Sequence, residues 1–174
     1  MKAVVGGFEE IRMRHTFLTW PLLLTLACGC LAQSAEELRV QTRFGALTLD
    51  RKDRLLFKGR VIEPVMQANS GIDVGKPFRI GGSDVVLVTI IGGTACPYLY
   101  HFVTVTQSGA KATPEFGTCN ESLQTDRKGD AIYLTMHEYR GPFEPEAERK
   151  AALKRTVGFV FRGGVVSRAS QPVK

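Results

Sequence analysis

The sequence predicts an all-β domain, mainly an antiparallel sandwich or barrel-like sheet, with one short C-terminal helix. Three observations lead to this fold class. The run Val85–Ile91 is rich in β-branched residues. Short apolar segments are separated by glycines and charged turns along most of the chain. Helix signals are concentrated near residues 145–155. We expect residues 33–174 to form a single β-rich exported domain of seven to nine strands.

The first 32 residues are expected to be a signal peptide. Phe17–Ala32 is uncharged and apolar, is shorter than a typical membrane span, and follows Arg12 and Arg14. The residues before it include two glutamates that suit a signal poorly, so Met13 is a candidate for the true start. Cleavage after Ala32 would leave no transmembrane span. We therefore expect a periplasmic or secreted bacterial protein.

Two cysteines near the end of this segment leave a lipoprotein as the alternative. Cys28 and Cys30 lie where an acylated cysteine would be found. Such a cysteine needs an aliphatic residue three positions before it and then two small residues. Thr25 lies at that distance from Cys28 and Ala27 from Cys30, so both fit poorly. Anchoring through Cys28 or Cys30 stays the alternative to a free exported protein.

The expected mature chain is moderately basic. From Gln33 on, 20 lysines and arginines face 15 acidic residues, a net charge of +5. Such a charge favours solubility and is compatible with anionic partners such as envelope polymers or lipid headgroups. No run contains more than two adjacent basic residues, and the export signal also argues against nucleic acid as a partner.

The predicted strands follow from apolar alternation or from β-branched and aromatic runs. Asn69–Pro77 is rich in turn-forming residues and is expected to be a loop. In chain order, we expect strands at Leu38–Arg43, Ala46–Leu49, Leu55–Phe57, Val85–Ile91, Tyr98–Thr106, Lys111–Phe116, Ala131–His137 and Thr156–Phe161.

Gly141–Arg155 is predicted to contain the helix. Pro145 suits a first turn, glutamates cluster after it, and Lys150 and Lys154 lie towards the end, where the helix dipole favours cations. The apolar face is mostly alanine. We therefore expect a helix of about ten residues that lies across the edge or end of a sheet.

The central segment is predicted to be a hairpin that places two cysteines opposite each other. Val85–Ile91 is apolar on both faces, as in a strand buried on both sides. A four-residue loop at Thr106–Gly109 pairs residues whose numbers sum to 215, which places Cys96 opposite Cys119. We expect a disulfide contributing roughly 3 kcal/mol; the alternative is two free buried thiols. Pro114 indicates an edge or a bulge in the returning strand, and a bulge would shift this register by one.

GGTACP, followed by an aromatic strand, FVTV, a glycine turn and FGTC, resembles a pattern found in short exported bacterial proteins of uncharacterised function. The resemblance covers roughly Phe44–Met136. It implies an extracytoplasmic location and pairing of the two cysteines, and it implies no catalytic activity.

The sequence offers little for catalysis. His101 and His137 each lie inside a predicted strand, where a structural role is expected. The chain has no Gly-x-Ser-x-Gly elbow, no dinucleotide fingerprint and no Cys-x-x-Cys. We expect no catalytic residues, no metal ligands and no cofactor. The alternative is a small envelope hydrolase whose carboxylates come from separate loops, for example Asp73, Asp84 and Glu115.

The preferred hypothesis is a non-catalytic envelope module that binds a protein or an anionic envelope polymer. The connection after the central strand combines two glycines with a proline and the predicted disulfide, so it should lose little entropy on binding. Tyrosines that follow it either fill the core or serve a partner surface. The candidate binding residues are Gly92, Gly93, Thr94, Tyr98 and Tyr100.

Overall fold

The computed structural model describes residues 38–169, which form fourteen strands and one helix. All of them belong to one unit, Ser34–Lys174. The predicted fold class, all-β with one short C-terminal helix, is confirmed. In chain order the elements are β1 (Arg39–Thr42), β2 (Gly45–Leu49), β3 (Leu55–Phe57), β4 (Arg60–Val61), β5 (Gly71–Val74), β6 (Phe78–Ile80), β7 (Ser83–Ile91), β8 (Tyr98–Thr106), β9 (Gly109–Ala112), β10 (Phe116–Cys119), β11 (Leu123–Lys128), β12 (Ala131–His137), α1 (Glu146–Ala152), β13 (Thr156–Arg162) and β14 (Val165–Arg168).

The strands form three antiparallel sheets. The N-terminal sheet has the order β1-β2-β3-β4, and the C-terminal sheet has the order β11-β12-β13-β14. The central sheet has the order β10-β8-β7-β5, with β6 also paired to β7 and β9 also paired to β8. The β7–β8 hairpin is the longest pairing and runs from Asp84↔Val105 to Ile91↔Tyr98.

The central sheet is covered on both faces. Val86, Val88 and Ile90 pack in one apolar cluster with residues of the N-terminal sheet. Val85 and Leu87 pack on the other side with residues of the C-terminal sheet. Because successive side chains of a strand point to opposite faces, this strand is apolar at every position from 85 to 88. The prediction of a strand buried on both sides is confirmed.

Aromatic side chains fill the space between the central and C-terminal sheets. The ring centroids of Phe102 and Phe161 lie 4.6 Å apart, and those of Phe116 and Phe159 lie 5.3 Å apart. Burial of each such ring contributes on the order of 2–3 kcal/mol. These contacts fix the position of β8 relative to β13. They therefore also position the connections that lead into these two strands.

The strand count is higher than the seven to nine expected. Asn69–Pro77 is not a loop throughout, because β5 pairs with β7 from Gly71↔Ile91 to Val74↔Val88. Ile72 and Val74 are buried in this strand although the surrounding residues are turn formers. The pairing of β5 with the long strand β7 therefore outweighs the preference of these residues for a turn.

The strand predicted at Lys111–Phe116 is interrupted. β9 ends at Ala112 and β10 begins at Phe116, with Pro114 between them. Proline has no amide hydrogen for a sheet ladder, so pairing stops there. Thr113 compensates, because its Oγ1 accepts the Phe102 amide at 3.0 Å. The irregularity expected at Pro114 is confirmed.

The helix lies within the predicted range but is shorter than expected, with seven residues. Pro145 occupies the N-cap position rather than the first turn. Glu146 and Lys150 form an ion pair at 2.6 Å along its exposed side. Ala152 is its buried residue, so the helix adds little to the core.

The expected signal peptide at residues 1–32, the start at Met13 and the lipidation of Cys28 or Cys30 lie outside the described residues. Within residues 38–169, the helix present is too short and too polar to cross a bilayer.

Candidate functional site

The connection Gly92–Pro97, here called the stapled loop, joins β7 to β8. Its ends are closed by a hydrogen bond from the Gly92 amide to the Pro97 carbonyl at 2.8 Å. A turn inside it is closed by the Cys96 amide donating to the Gly93 carbonyl at 3.1 Å. A Cβ at Gly92 would overlap the Cys96 carbonyl oxygen, so this position requires glycine.

The disulfide between Cys96 and Cys119 is present, with the Cα atoms 4.7 Å apart. The predicted register holds near the turn, where Thr106 pairs with Gly109 and Val103 with Ala112. The pairing then slips by one residue before Phe116, which lies opposite Tyr100, and by one more at the bulge between Phe116 and Cys119, so that Cys119 lies opposite Tyr98. The two sulfurs still meet. The predicted disulfide is confirmed, although its register is not the one expected.

Two side chains tie the stapled loop to its neighbours. The Tyr139 hydroxyl, from the segment after β12, donates to the Thr94 carbonyl at 3.0 Å. The Ser70 hydroxyl donates to the Gly92 carbonyl at 3.2 Å. The loop is therefore held by the disulfide, by its own turn and by contacts from two other segments.

The two tyrosines proposed for binding have different environments. Tyr98 is half-buried, and its hydrogen bond to Glu121 raises the pKa of its hydroxyl. Tyr100 is only 2% exposed and donates to the Asn120 carbonyl at 3.0 Å. Burial raises the pKa of Tyr100 to about 12. Gly93 and Thr94 are exposed, and Gly92 is half-buried. Tyr100 is therefore a core residue, and the other four residues remain at the surface.

A cleft of about 490 Å³ lies beside the disulfide. Its walls come from the end of the stapled loop and the start of β8, from the residues around the end of β10, and from the segment that follows β12. Leu153, just after the helix, is 52% exposed and forms part of its wall. The lining residues are Pro97, Tyr98, Cys119, Asn120, Glu121, Ser122, Tyr139 and Leu153.

A second apolar side chain projects from the same connection. Residues 138–155 join the end of β12 to the start of β13, and Tyr139 links this connection to the stapled loop. Within it, Phe143 is 93% exposed on a turn closed by the Glu144 amide and the Gly141 carbonyl at 3.1 Å. We call the stapled loop, this cleft and the 138–155 connection together the stapled end.

The sequence did not identify Tyr139, Phe143 or Leu153 as site residues. The Gly141-Pro142-Phe143 run was a usable signal, because proline is favoured at the second position of a turn and turns lie at the protein surface. Leu153 carried no such signal. Its exposure depends on how the end of the helix meets β13.

The charges at the stapled end are mixed in sign. Glu138 pairs with Arg155 at 2.8 Å, and this hydrogen bond lowers the pKa of the Glu138 carboxyl. With Glu121 and the remaining charged residues of the 138–155 connection, the stapled end carries five acidic and five basic side chains. The end therefore lacks the field of one sign that attracts a polyanion.

The two histidines within residues 38–169 have surroundings that could not be predicted from the sequence. His101 is buried, and its Nδ1 lies 2.9 Å from the Thr113 carbonyl oxygen. Its Nε2 lies 3.9 Å from Glu115 Oε2. His137 is half-buried, and its Nδ1 is one of the buried polar atoms that lack a partner among the described residues. The structural role expected for His101 agrees with its bond to Thr113.

The carboxylates considered for a hydrolase do not meet. Asp84 is buried and bound by Arg43, with Nε and Oδ1 2.7 Å apart. Asp73 is exposed on β5, opposite Thr89, which is five residues along β7 from Asp84 or about 17 Å. Among residues 38–169, no three His, Cys, Asp or Glu side chains are grouped as metal ligands would be.

The comparisons with known proteins return nothing to set beside this geometry: no protein-family model, no curated protein and no solved structure matches the chain.

Proposed function

We propose that this chain is a non-catalytic module of the bacterial cell envelope that binds a partner protein through its stapled end. The observation that carries the proposal is a set of exposed or half-exposed apolar and aromatic side chains around a tightly held loop. Tyr98, Tyr139, Phe143 and Leu153 are the expected contacts. Aromatic residues of this kind contribute a large share of the energy at protein interfaces.

The restraint of the stapled loop supports this function. A loop held by a disulfide, a close glycine contact and side-chain hydrogen bonds has few alternative conformations. It therefore loses little entropy when a partner covers it, and more of the contact energy is retained as affinity. Thr94 is exposed within this held segment, although its carbonyl oxygen is occupied by Tyr139.

A protein partner fits better than an anionic envelope polymer. A polyanion requires a surface on which positive charge dominates. At the stapled end, five acidic side chains balance five basic ones. Apolar side chains with a rim of mixed charge are typical of protein interfaces.

The extracytoplasmic location forms part of the proposal. Disulfides persist in oxidising compartments, and the Cys96–Cys119 pair is compatible with one. The signal-like segment Phe17–Ala32 and the resemblance to short exported bacterial proteins support the same location. A periplasmic or secreted protein is proposed, with lipid anchoring through Cys28 or Cys30 as the alternative.

The test compares two equally drastic substitutions at opposite ends of the strands. Leu153→Asp places a charge in the cleft of the stapled end. Val165→Asp introduces the same charge at the opposite end of the strands. Val165 is 65% exposed and, together with Thr106 at the far end of β8, lines a different cavity. Each full-length variant is expressed in the native cell, crosslinked in place and purified, and the partners are quantified by mass spectrometry.

The expected result is one partner protein that is recovered with the parent and with Val165→Asp but is lost with Leu153→Asp. Tyr98→Ala should reduce the recovery as well. Thermal melting of each purified variant verifies that the fold is intact. Equal recovery with Leu153→Asp and Val165→Asp would contradict the proposal.

A further inference from the structure

The environment of His101 fixes which ring nitrogen carries the proton. Its Nδ1 lies 2.9 Å from the Thr113 carbonyl oxygen, which can only accept a hydrogen bond. Nδ1 is therefore protonated, and in the neutral ring Nε2 has a free lone pair. The Thr113 carbonyl is available for this bond because Pro114 ends the pairing of β9.

The free lone pair faces a cavity of about 470 Å³, which His101 lines. Glu115 lines the same cavity, and its Oε2 lies 3.9 Å from His101 Nε2, beyond hydrogen-bond distance. Pro64, Val65 and Pro114 form much of the remaining wall. Two acceptors thus converge in a mostly apolar cavity without a donor between them.

His101 Nε2 and the Glu115 carboxylate have no donor between them, and a cation placed there would satisfy the lone pairs of both groups. Zinc-type ions bind to imidazole nitrogen at about 2.0–2.1 Å and to carboxylate oxygen at about 2.0–2.2 Å. At a tetrahedral ion, two such ligand atoms lie about 3.3 Å apart. Glu115 is 49% exposed on its side chain and can move the few tenths of an ångström required.

The bond to Thr113 is also the arrangement that metal-binding histidines use. Such a histidine donates its other ring N–H to a carbonyl or carboxylate, which fixes the ring orientation. We propose that His101 Nε2 and the Glu115 carboxylate bind one divalent cation of the zinc class, and that water completes its coordination. No third His, Cys, Asp or Glu joins this pair within residues 38–169, so the site is open and exchanges its ion readily.

The test follows the imidazole nitrogens of His101 by ¹⁵N NMR while Zn²⁺ is added to the full chain without an affinity tag. The measurement is made at about pH 8, because metal binding to imidazole competes with protons and strengthens as the pH rises. Residue-resolved signals are needed because Cys28, Cys30 and His15 are further potential zinc ligands. We expect Nε2 of His101 to shift in a saturable manner while Nδ1 stays protonated.

The matched variants are Glu115→Gln and Glu148→Gln, which remove the same charge. Glu148 is an exposed residue of the helix. Glu115→Gln should weaken Zn²⁺ binding at His101 at least tenfold, and Glu148→Gln should change it by less than about twofold. Glu115 is exposed at the residue level, so its variant should melt like the parent.

Two results would overturn the proposal. One is a His101 Nε2 signal that does not respond to millimolar Zn²⁺. The other is an equal affinity in the parent and in Glu115→Gln, because the carboxylate would then not be a ligand. A response confined to His137 or to the N-terminal residues counts as the first of these results.

Discussion

Arg43 holds the buried carboxylate of Asp84 through two bonds: its Nε lies 2.7 Å from Oδ1, and its backbone amide lies 2.6 Å from Oδ2. The guanidinium also donates to the Ser83 carbonyl at 2.6 Å. Arg43 lies in the turn between β1 and β2, and Asp84 lies in β7. One side chain therefore connects the N-terminal sheet to the start of the central strand.

Removal of Arg43 should destabilise the domain strongly, because it leaves a buried carboxylate without its cation. We expect Arg43→Ala to lower the free energy of unfolding by about 2–4 kcal/mol, measured by urea denaturation. The control is Arg162→Ala, which breaks an exposed pair with Asp130 and should cost less than about 1 kcal/mol. Equal losses in the free energy of unfolding would show that the buried pair with Asp84 contributes no more than an exposed ion pair.

The disulfide should contribute measurably to stability. The disulfide joins two residues that are 23 positions apart in the sequence. Without it, as in Cys96→Ala, this loop is no longer closed and the unfolded chain gains conformational entropy. We expect a loss of about 2–5 kcal/mol in the free energy of unfolding. Peptide mapping without reductant should recover Cys96 and Cys119 in one linked pair. Two free thiols in protein isolated without reductant would contradict the pairing.

Gly92 and Gly93 are adjacent, yet substitution should affect them differently. An alanine Cβ at Gly92 overlaps the Cys96 carbonyl, whereas at Gly93 the nearest atom beyond its neighbours is Asn69 Nδ2 at 3.8 Å. Gly92→Ala should therefore cost about 1–3 kcal/mol of stability. Gly93→Ala should change it by less than about 0.5 kcal/mol. Thermal unfolding of both variants tests the close contact, and equal melting temperatures would disprove it.

Asp50 should remain ionised to an unusually low pH. A hydrogen bond from the Arg54 side chain, together with bonds from backbone amides, lowers its pKa from 3.8 to about 2. The stabilising contribution of this carboxylate is therefore complete above about pH 4 and is lost as the pH falls through about 2.

Carboxyl ¹³C NMR titration measures this pKa directly. Arg54→Gln should move the midpoint of Asp50 up towards its ordinary value. Arg51→Gln removes the same charge at the residue next to Asp50, which makes none of these hydrogen bonds. It should leave the midpoint of Asp50 near 2. A parent midpoint close to 4 would show that the hydrogen bonds are absent in solution.

Much of the fold follows from local sequence patterns. Val85–Ile91 and Tyr98–Thr106 form the strands expected from their β-branched and aromatic residues, and Cys96 and Cys119 form the expected pair. These predictions succeed because strand propensity and turn chemistry act over a few residues. The loop expected at Asn69–Pro77 failed in part, because pairing with β7 outweighed the local turn signals.

The candidate site could be predicted only in part. Gly92, Gly93, Thr94 and Tyr98 remain at the surface near the disulfide, but Tyr100 is buried. Alternation shows that Tyr98 and Tyr100 share a face of β8, but it does not show how far along the strand the C-terminal sheet covers that face. The edge of this cover decides which tyrosine is exposed.

By itself, the sequence determined the long central strands, the hairpin and the cysteine pairing, because each depends on residues that are close along the chain or joined by one turn. Tertiary structure alone decided the pairing of β5, the exposure of Leu153 and the meeting of His101 with Glu115. Those features depend on which sheets cover one another and where a strand breaks. Such contacts join distant parts of the chain, and no periodic pattern in the sequence encodes them.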